Sequence, residues 1–255
     1  MFFNFGCLAI EGWQLNQNHD LFRRHYIPHN PCSGVKLPRV EKADIKPLDD
    51  EGISKFLTAI KDHPYERLFI VDLFTGMRQS ELLGLTWSNV DFEAGTILID
   101  RQLIKEKKTG GIYKFASPKN DKARLVTPPS SIMRVLREER RIQNERKLLM
   151  GQAWKNEWNL VFTNELGENL SHSTLAHTCK RIMRAIGHPD TRFHDLRHSY
   201  AVAALQSGID VKTVQENLGH HTAAFTLDVY GHVTDRMARE AADRMEDYFQ
   251  SVKTL

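Results

Sequence analysis

Between Thr191 and Val233 the chain reads TRFHDLRHSYAVAALQSGIDVKTVQENLGHHTAAFTLDVYGHV, which places His194, Arg197, His220 and Tyr230 in one short run; Arg78 and Lys119 stand upstream. Together these residue types can break and rejoin a phosphodiester without a metal. Charge builds on the phosphate oxygens in the transition state, and preorganised cations stabilise it, each such donor contributing on the order of 3 kcal/mol. Arginine suits this role because its fork bonds two oxygens at once, so Arg78 and Arg197 are the candidates. Tyr230 is the candidate nucleophile. With a pKa near 10, only roughly one tyrosine in a thousand is ionised at pH 7, so attack needs a base or a strongly positive field. His194 or the arginines would supply it. The departing 5′ oxygen needs a proton, for which Lys119 is placed, and His220 could hydrogen-bond the phosphate. A phosphotyrosine would conserve the energy of the broken bond, so religation needs no ATP.

Taken singly, each of these residues has an ordinary explanation. Arg78 could simply pair with Glu81. His194 and Arg197, one helical turn apart, could be a core histidine beside a surface arginine. Lys119 sits in a polar turn, His220 follows a Leu-Gly helix end, and Tyr230 precedes a glycine as packing tyrosines do. The argument rests on their conjunction. A metal-dependent nuclease is the competing chemistry: His194 and His198 form an i,i+4 pair that could chelate, but Asp195 points to another face of the helix and no other carboxylate has matching spacing. The expectation is no metal and no cofactor.

The elements that must position these residues are mostly helical. Asp49, Asp50 and Glu51 precede Ile53, Phe56, Leu57 and Ile60, an acidic first turn followed by apolar i, i+3, i+4, i+7 spacing. Leu68 to Phe74 is a second, more apolar helix closed by Gly76 in a left-handed cap, so the helix Gln79 to Leu85 begins abruptly beside Arg78. From Asp91 the pattern turns to strands: Thr96 to Ile99, Ile112 to Ala116 and Arg124 to Thr127 predict a three-stranded antiparallel sheet with Lys119 at a loop tip in Pro118-Lys119-Asn120-Asp121. Pro128-Pro129 opens a long helix to Leu149, whose arginines alternate with Glu138, Glu139 and Glu145 as on a solvated, ion-paired face; the alternative is a surface facing phosphates. A short strand is expected at Leu160 to Phe162. Ser171 caps a helix reaching Ile186, Phe193 to Ser207 forms the next, and Asp210 caps Val211 to Leu218, which Gly219 ends. Thr222 to Tyr230 reads as helical. Thr234 to Gln250 reads as a final amphipathic helix with Met237, Ala241, Met245, Tyr248 and Phe249 toward one side.

Bulk properties agree with a folded domain. Of 255 residues, 41% are hydrophobic and 26% charged, ordinary for a globular protein, and the net charge of +3 obliges a nucleic-acid-binding chain to segregate its basic residues on one face. Cys7, Cys32 and Cys179 form no CxxC pair, which favours a reducing compartment. Met1 to Ile10 lacks the basic flank of a signal peptide, and no run is long enough to span a bilayer. His29 to Lys42 carries turn residues and reads as a linker.

In order, TGMRQSELLGLTW (Thr75 to Trp87), PKNDKAR (Pro118 to Arg124), HDLRHSYA (His194 to Ala201), LGH (Leu218 to His220) and Tyr230 with GHV resemble the tyrosine recombinase, or phage integrase, family. The resemblance covers Lys36 to the C-terminus. It implies a mainly α catalytic domain with a small three-stranded antiparallel sheet (α+β). It implies Arg78, Lys119, His194, Arg197 and His220 around the scissile phosphate of double-stranded DNA, Tyr230 as nucleophile, and Glu81 as the acid that orients the first arginine. Lys122 is the alternative to Lys119. The implied activity is site-specific DNA recombination or integration through a 3′-phosphotyrosine. A homotetramer would assemble on DNA through the C-terminal helix, with accessory DNA-bending or directionality proteins, in a bacterial cytoplasm at the nucleoid. The chain departs from the pattern at its start. Residues 1–40 read as an N-terminal remnant and linker where a helical core-binding domain is usual, and residues 41–255 as the catalytic domain. That departure favours one other function, a DNA-binding regulator that does not recombine; a further alternative is a topoisomerase-like nicking and closing enzyme, which would use the same chemistry without strand exchange.

Overall fold

The computed structural model describes residues 46–106, 111–118, 122–219, 242–243 and 245–253, all within one compact unit, Ile45–Leu255. Among the described residues up to 219, seven α-helices and five strands follow in order. Helices α1 (Asp50–Ala59), α2 (Glu66–Thr75) and α3 (Gln79–Leu83) come first. Strands β1 (Val90–Asp91), β2 (Thr96–Ile99), β3 (Gln102–Lys105), β4 (Tyr113–Ala116) and β5 (Arg124–Val126) come next. Helices α4 (Ser130–Met150), α5 (His172–Ala185), α6 (Phe193–Gln206) and α7 (Val211–Leu218) complete the set. Residues 245–253 are also helical, and Met245, Tyr248, Phe249 and Val252 on that helix are exposed.

Helix α2 is the centre of the packing, against α6 on one side and α4 on the other. Its apolar residues run almost all the way round, and Leu68, Phe69, Val71 and Leu73 are buried. Phe69 meets Phe56 of α1 edge to face at 5.6 Å between ring centroids and lies 6.1 Å from Phe193 of α6. Fully burying such side chains stabilises the fold by roughly 1.5–3 kcal/mol each. The caps are local. Asp49 accepts from the Gly52 N–H at 2.8 Å and Asp210 from the Thr213 N–H at 2.9 Å, satisfying N–H groups that have no partner within their helices. Ser171 stands at the start of α5, but its hydroxyl bonds Ser173 at 2.8 Å and makes no cap bond.

The sheet differs from expectation in its membership. There is a three-stranded antiparallel sheet, in the order β1-β2-β5, and its register pairs Val90 with Ile97 and Ile97 with Val126. The strand at Tyr113–Ala116 is not its member. It pairs with β3 in a separate hairpin, with Leu103 opposite Phe115. The chain breaks direction between β2 and β3 at Asp100, whose carboxylate takes bonds from Arg101 at 2.8 and 2.9 Å and from Asn89 at 3.1 Å. Helix α3 lies so close to β3 that a Cβ on Gly84 would stand 2.7 Å from the Leu103 nitrogen.

Residues Leu160 to Phe162 are not a strand; Leu160 makes only an isolated bridge to Thr86. The buried side chain of Gln143 on α4 explains this. Its amide donates to the carbonyls of Leu160 at 3.1 Å and Val161 at 3.0 Å and accepts from the Trp87 indole at 2.7 Å, so a side chain does the work of a neighbouring strand. Of the basic residues of α4, Arg141 follows the ion-paired reading. Arg141 bonds Glu138 at 2.7 Å and also pairs with Glu145. Arg137 and Arg140 lie over the Phe92 ring.

Candidate functional site: an arginine-lined cradle

Gly76 builds the first wall. It ends α2 with φ of 61°, the left-handed conformation that side chains resist, and a Cβ there would lie 2.4 Å from Cδ1 of Tyr200 and 2.8 Å from Cδ2 of Leu218. The tight turn lets Arg78 follow in extended conformation at the start of α3. Glu81, in the first turn of that helix, folds back on it. One carboxylate oxygen accepts from the Arg78 backbone N–H at 2.9 Å and the other from Nη1 at 2.8 Å. The same device recurs at α6, where Asp195 accepts from the Arg192 N–H at 2.7 Å and from its guanidinium at 3.0 and 3.1 Å. Asp195 is therefore committed to the start of its own helix.

Arg197 comes from the middle of α6 and is 2% exposed. Its Nη1 donates to the Gly76 carbonyl at 2.6 Å and its Nη2 to the Leu218 carbonyl at 2.5 Å. Arg78 reaches the next carbonyl, Gly219, with Nη2 at 3.2 Å. Two arginines far apart in sequence thus meet at the C-terminal end of α7, which Gly219 closes with φ of 63°. Carbonyls at a helix C-terminus carry partial negative charge, so this end draws cations. The residue that follows, His220, lies outside the described residues, as do Lys119 and Tyr230.

His194 is exposed on the first turn of α6 and packs edge to face on the buried His198 ring, centroids 5.0 Å apart. Desolvation lowers the His194 pKa, and the positive charge of Arg197 lowers it further. Burial first, then the neighbouring His194, bring His198 down to about 4. Both shifts favour the neutral ring, the form that can accept a proton. Among the described residues no three His, Cys, Asp or Glu side chains gather to hold a metal ion.

Of the residues singled out from the sequence, Arg78, Glu81, His194 and Arg197 come together. Two others join them that the motifs did not single out. Arg124 of β5 grips Glu81 from the far side, Nη2 to Oε2 at 2.6 Å and Nη1 to Oε1 at 3.0 Å, while its Nε donates to the Asn217 carbonyl at 2.8 Å. Glu81 is fully buried. Burial alone would raise its pKa, but the bonds and charges of Arg124 and Arg78 outweigh that and hold it at about 2. Asp72, one turn before Gly76, is completely buried with neither carboxylate oxygen hydrogen-bonded. Desolvation pushes its pKa well up, the Arg197 charge opposes this, and the Glu81 charge adds to it. Arg124 was visible as the last residue of PKNDKAR, but nothing in spacing told that it would face Glu81.

The phage integrase family model matches residues 46–237. A tyrosine recombinase XerC-like protein of Caldanaerobacter subterraneus subsp. tengcongensis is 36% identical over 240 residues, which are 88% of this chain and 61% of that protein. The ICEBs1 integrase of Bacillus subtilis is 27% identical over 238 residues, 87% of this chain and 60% of that protein. The chain therefore spans about three-fifths of the length of these curated relatives. Among solved structures, the Tn1549 transposon integrase in complex with a circular intermediate DNA superposes with a TM-score of 0.68 at 21% identity, covering 89% of this chain and 74% of that one, a likeness of fold. The XerH site-specific recombinase bound to palindromic difH substrate matches with a TM-score of 0.55 at 26% identity over 84% of this chain and 59% of that one.

Proposed function

Because the chain belongs to the phage integrase family, we propose that it is a tyrosine-type site-specific recombinase that cleaves and rejoins double-stranded DNA. The observation that carries this reading is the meeting of Arg78 and Arg197 on the adjacent carbonyls of Leu218 and Gly219, directly ahead of His220. Two guanidinium groups held this close make a cradle for one phosphate.

In this reading the Tyr230 hydroxyl attacks phosphorus and gives its proton to His194, whose desolvation and neighbouring Arg197 favour the neutral imidazole. Arg78 and Arg197 stabilise the charge that develops on the non-bridging oxygens, and His220 adds a hydrogen bond. The bond from phosphorus to the 5′ oxygen breaks, Lys119 protonates that oxygen, and a 3′-phosphotyrosine remains. A 5′ hydroxyl from the same or another strand reverses the steps. Atoms and electrons balance with no metal, cofactor or ATP. Glu81 orients Arg78 through two hydrogen bonds.

We read residues 41–255 as the catalytic domain, which the family match over residues 46–237 supports. The DNA complexes of the structural relatives support double-stranded DNA as the partner. The exposed Met245, Tyr248, Phe249 and Val252 support docking of the C-terminal helix on a neighbouring protomer in a tetramer. No described helix is long and apolar enough to cross a membrane, and the bacterial relatives support a place at the nucleoid. The test is a covalent protein–DNA adduct that forms with chelator present and requires Tyr230.

A further inference from the structure

Arg124 makes three hydrogen bonds to two elements other than its own. It forks onto both oxygens of Glu81 in α3 and donates to the Asn217 carbonyl at the end of α7. Its side chain is 9% exposed, against 20% for Arg78. On the α7 side it is confined by Gly219, where a Cβ would stand 3.0 Å from its Nη1 and 3.1 Å from its Cδ. The three consecutive carbonyls at 217, 218 and 219 are thus taken by Arg124, Arg197 and Arg78 in turn.

We propose that Arg124 is a positioning residue of the cleavage site, holding Glu81 so that Arg78 is oriented but not neutralised, and fixing the end of α7 that leads into the rest of the site. The inference rests on the recombinase reading above.

Electrostatics gives the first reason. Glu81 carries one negative charge and is shared by two arginines, so the group of Arg78, Arg124 and Glu81 keeps a net positive charge for a phosphate. Without Arg124 the glutamate would neutralise Arg78 alone. Geometry gives the second. Glu81 accepts four N–H bonds, two from Arg78 and two from Arg124, and only the full set immobilises both oxygens. With Arg124 gone, a buried carboxylate would lose half of its donors and the Arg78 fork its fixed reference. A lysine at position 124 would restore the charge but not the planar fork, and could not bond Glu81 and Asn217 together.

The experiment compares wild type, Arg124→Lys and Tyr230→Phe in the full chain, on linear DNA carrying the enzyme's own site. Three quantities are read: DNA dissociation constant, single-turnover rate of covalent adduct formation at saturating protein, and thermal midpoint. The expected result for Arg124→Lys is a DNA dissociation constant within about threefold of wild type, because affinity is spread over many phosphate contacts, with adduct formation slower by about a hundredfold, the typical loss when reacting groups shift by an ångström. Adduct formation within about threefold of wild type would overturn the proposal. So would a loss of binding and rate in step with a fallen thermal midpoint, which would make Arg124 merely structural. If Arg124→Lys does not fold, Arg124→Gln, whose amide can take the place of Nε toward the Asn217 carbonyl but ends short of Glu81, carries the same comparison. Absence of a Tyr230-dependent adduct in wild type would refute the recombinase reading itself, and this proposal with it; an intact wild-type adduct isolates the Arg124 result.

Discussion

Replacing Glu81 by glutamine keeps the shape of the side chain and removes the charge on which two arginines converge. Glu81 is fully buried, so solvent screens the interaction little. Its carboxyl is held at about 2 against an ordinary 4.5. At 1.36 kcal/mol per unit, that difference amounts to about 3 kcal/mol of stability at neutral pH. Removing one partner of a buried ion pair leaves the others uncompensated, which puts the whole cost of the substitution at roughly 3–5 kcal/mol. The sign with pH follows from the direction of the shift. A depressed carboxylate contributes fully above the unfolded value of 4.5, and the contribution is lost as pH falls from 4.5 through about 2. Urea unfolding of wild type and Glu81→Gln, run in steps from pH 7 down to pH 3, should therefore show a gap of roughly 3–5 kcal/mol at pH 7 that narrows steadily below pH 4.5. A gap under about 1 kcal/mol at pH 7 would refute the reasoning, since it falls within the range of an exposed ion pair. A gap that stays constant in acid would show that the carboxylate charge is not its source.

Two further outcomes follow from the neighbouring residues. Asp72→Asn should stabilise the protein at pH 7, because the raised folded pKa means that folding above pH 3.8 must either take up a proton or bury a charge; the gain should vanish below pH 3.8 in the same urea series, and a destabilised variant at pH 7 would contradict the burial argument. Gly76→Ala should cost roughly 2–4 kcal/mol in urea unfolding, from left-handed strain together with overpacking against Tyr200 and Leu218, and a near-neutral result would mean that the Gly76 turn tolerates a side chain.

Short-range chemistry made much of the fold legible. Asp49, Gly76, Asp210 and Gly219 each mark a helix end through a hydrogen bond or a left-handed cap that depends only on nearby residues. Arg78, His194 and Arg197 stood out as candidates by residue type in conjunction, and Glu81 through the family resemblance. What was not legible is pairing at long range. The strand at Tyr113–Ala116 pairs with Gln102–Lys105, and its alternation alone does not distinguish that partner from Thr96–Ile99. Leu160 to Phe162 has the composition of a strand, yet a glutamine side chain satisfies two of its carbonyls. Arg124 needed β5 paired to β2 and α7 packed beside it before its three contacts could exist. Asp72 reads as one polar residue in an apolar helix, and only the packing of α2 on nearly every side leaves it without a partner.

The central claim is tyrosine chemistry on a phosphodiester. The most direct measurement incubates the protein, with chelator, on supercoiled plasmid carrying DNA that flanks its own gene. The reaction is stopped with denaturant, the adduct digested with protease and nuclease, and the residue that carries the nucleotide located by mass spectrometry. The account predicts a 3′-phosphotyrosine on the peptide containing Tyr230, absent from Tyr230→Phe while that variant still binds DNA. Cleavage that persists in Tyr230→Phe, or an adduct on any other residue, would contradict it.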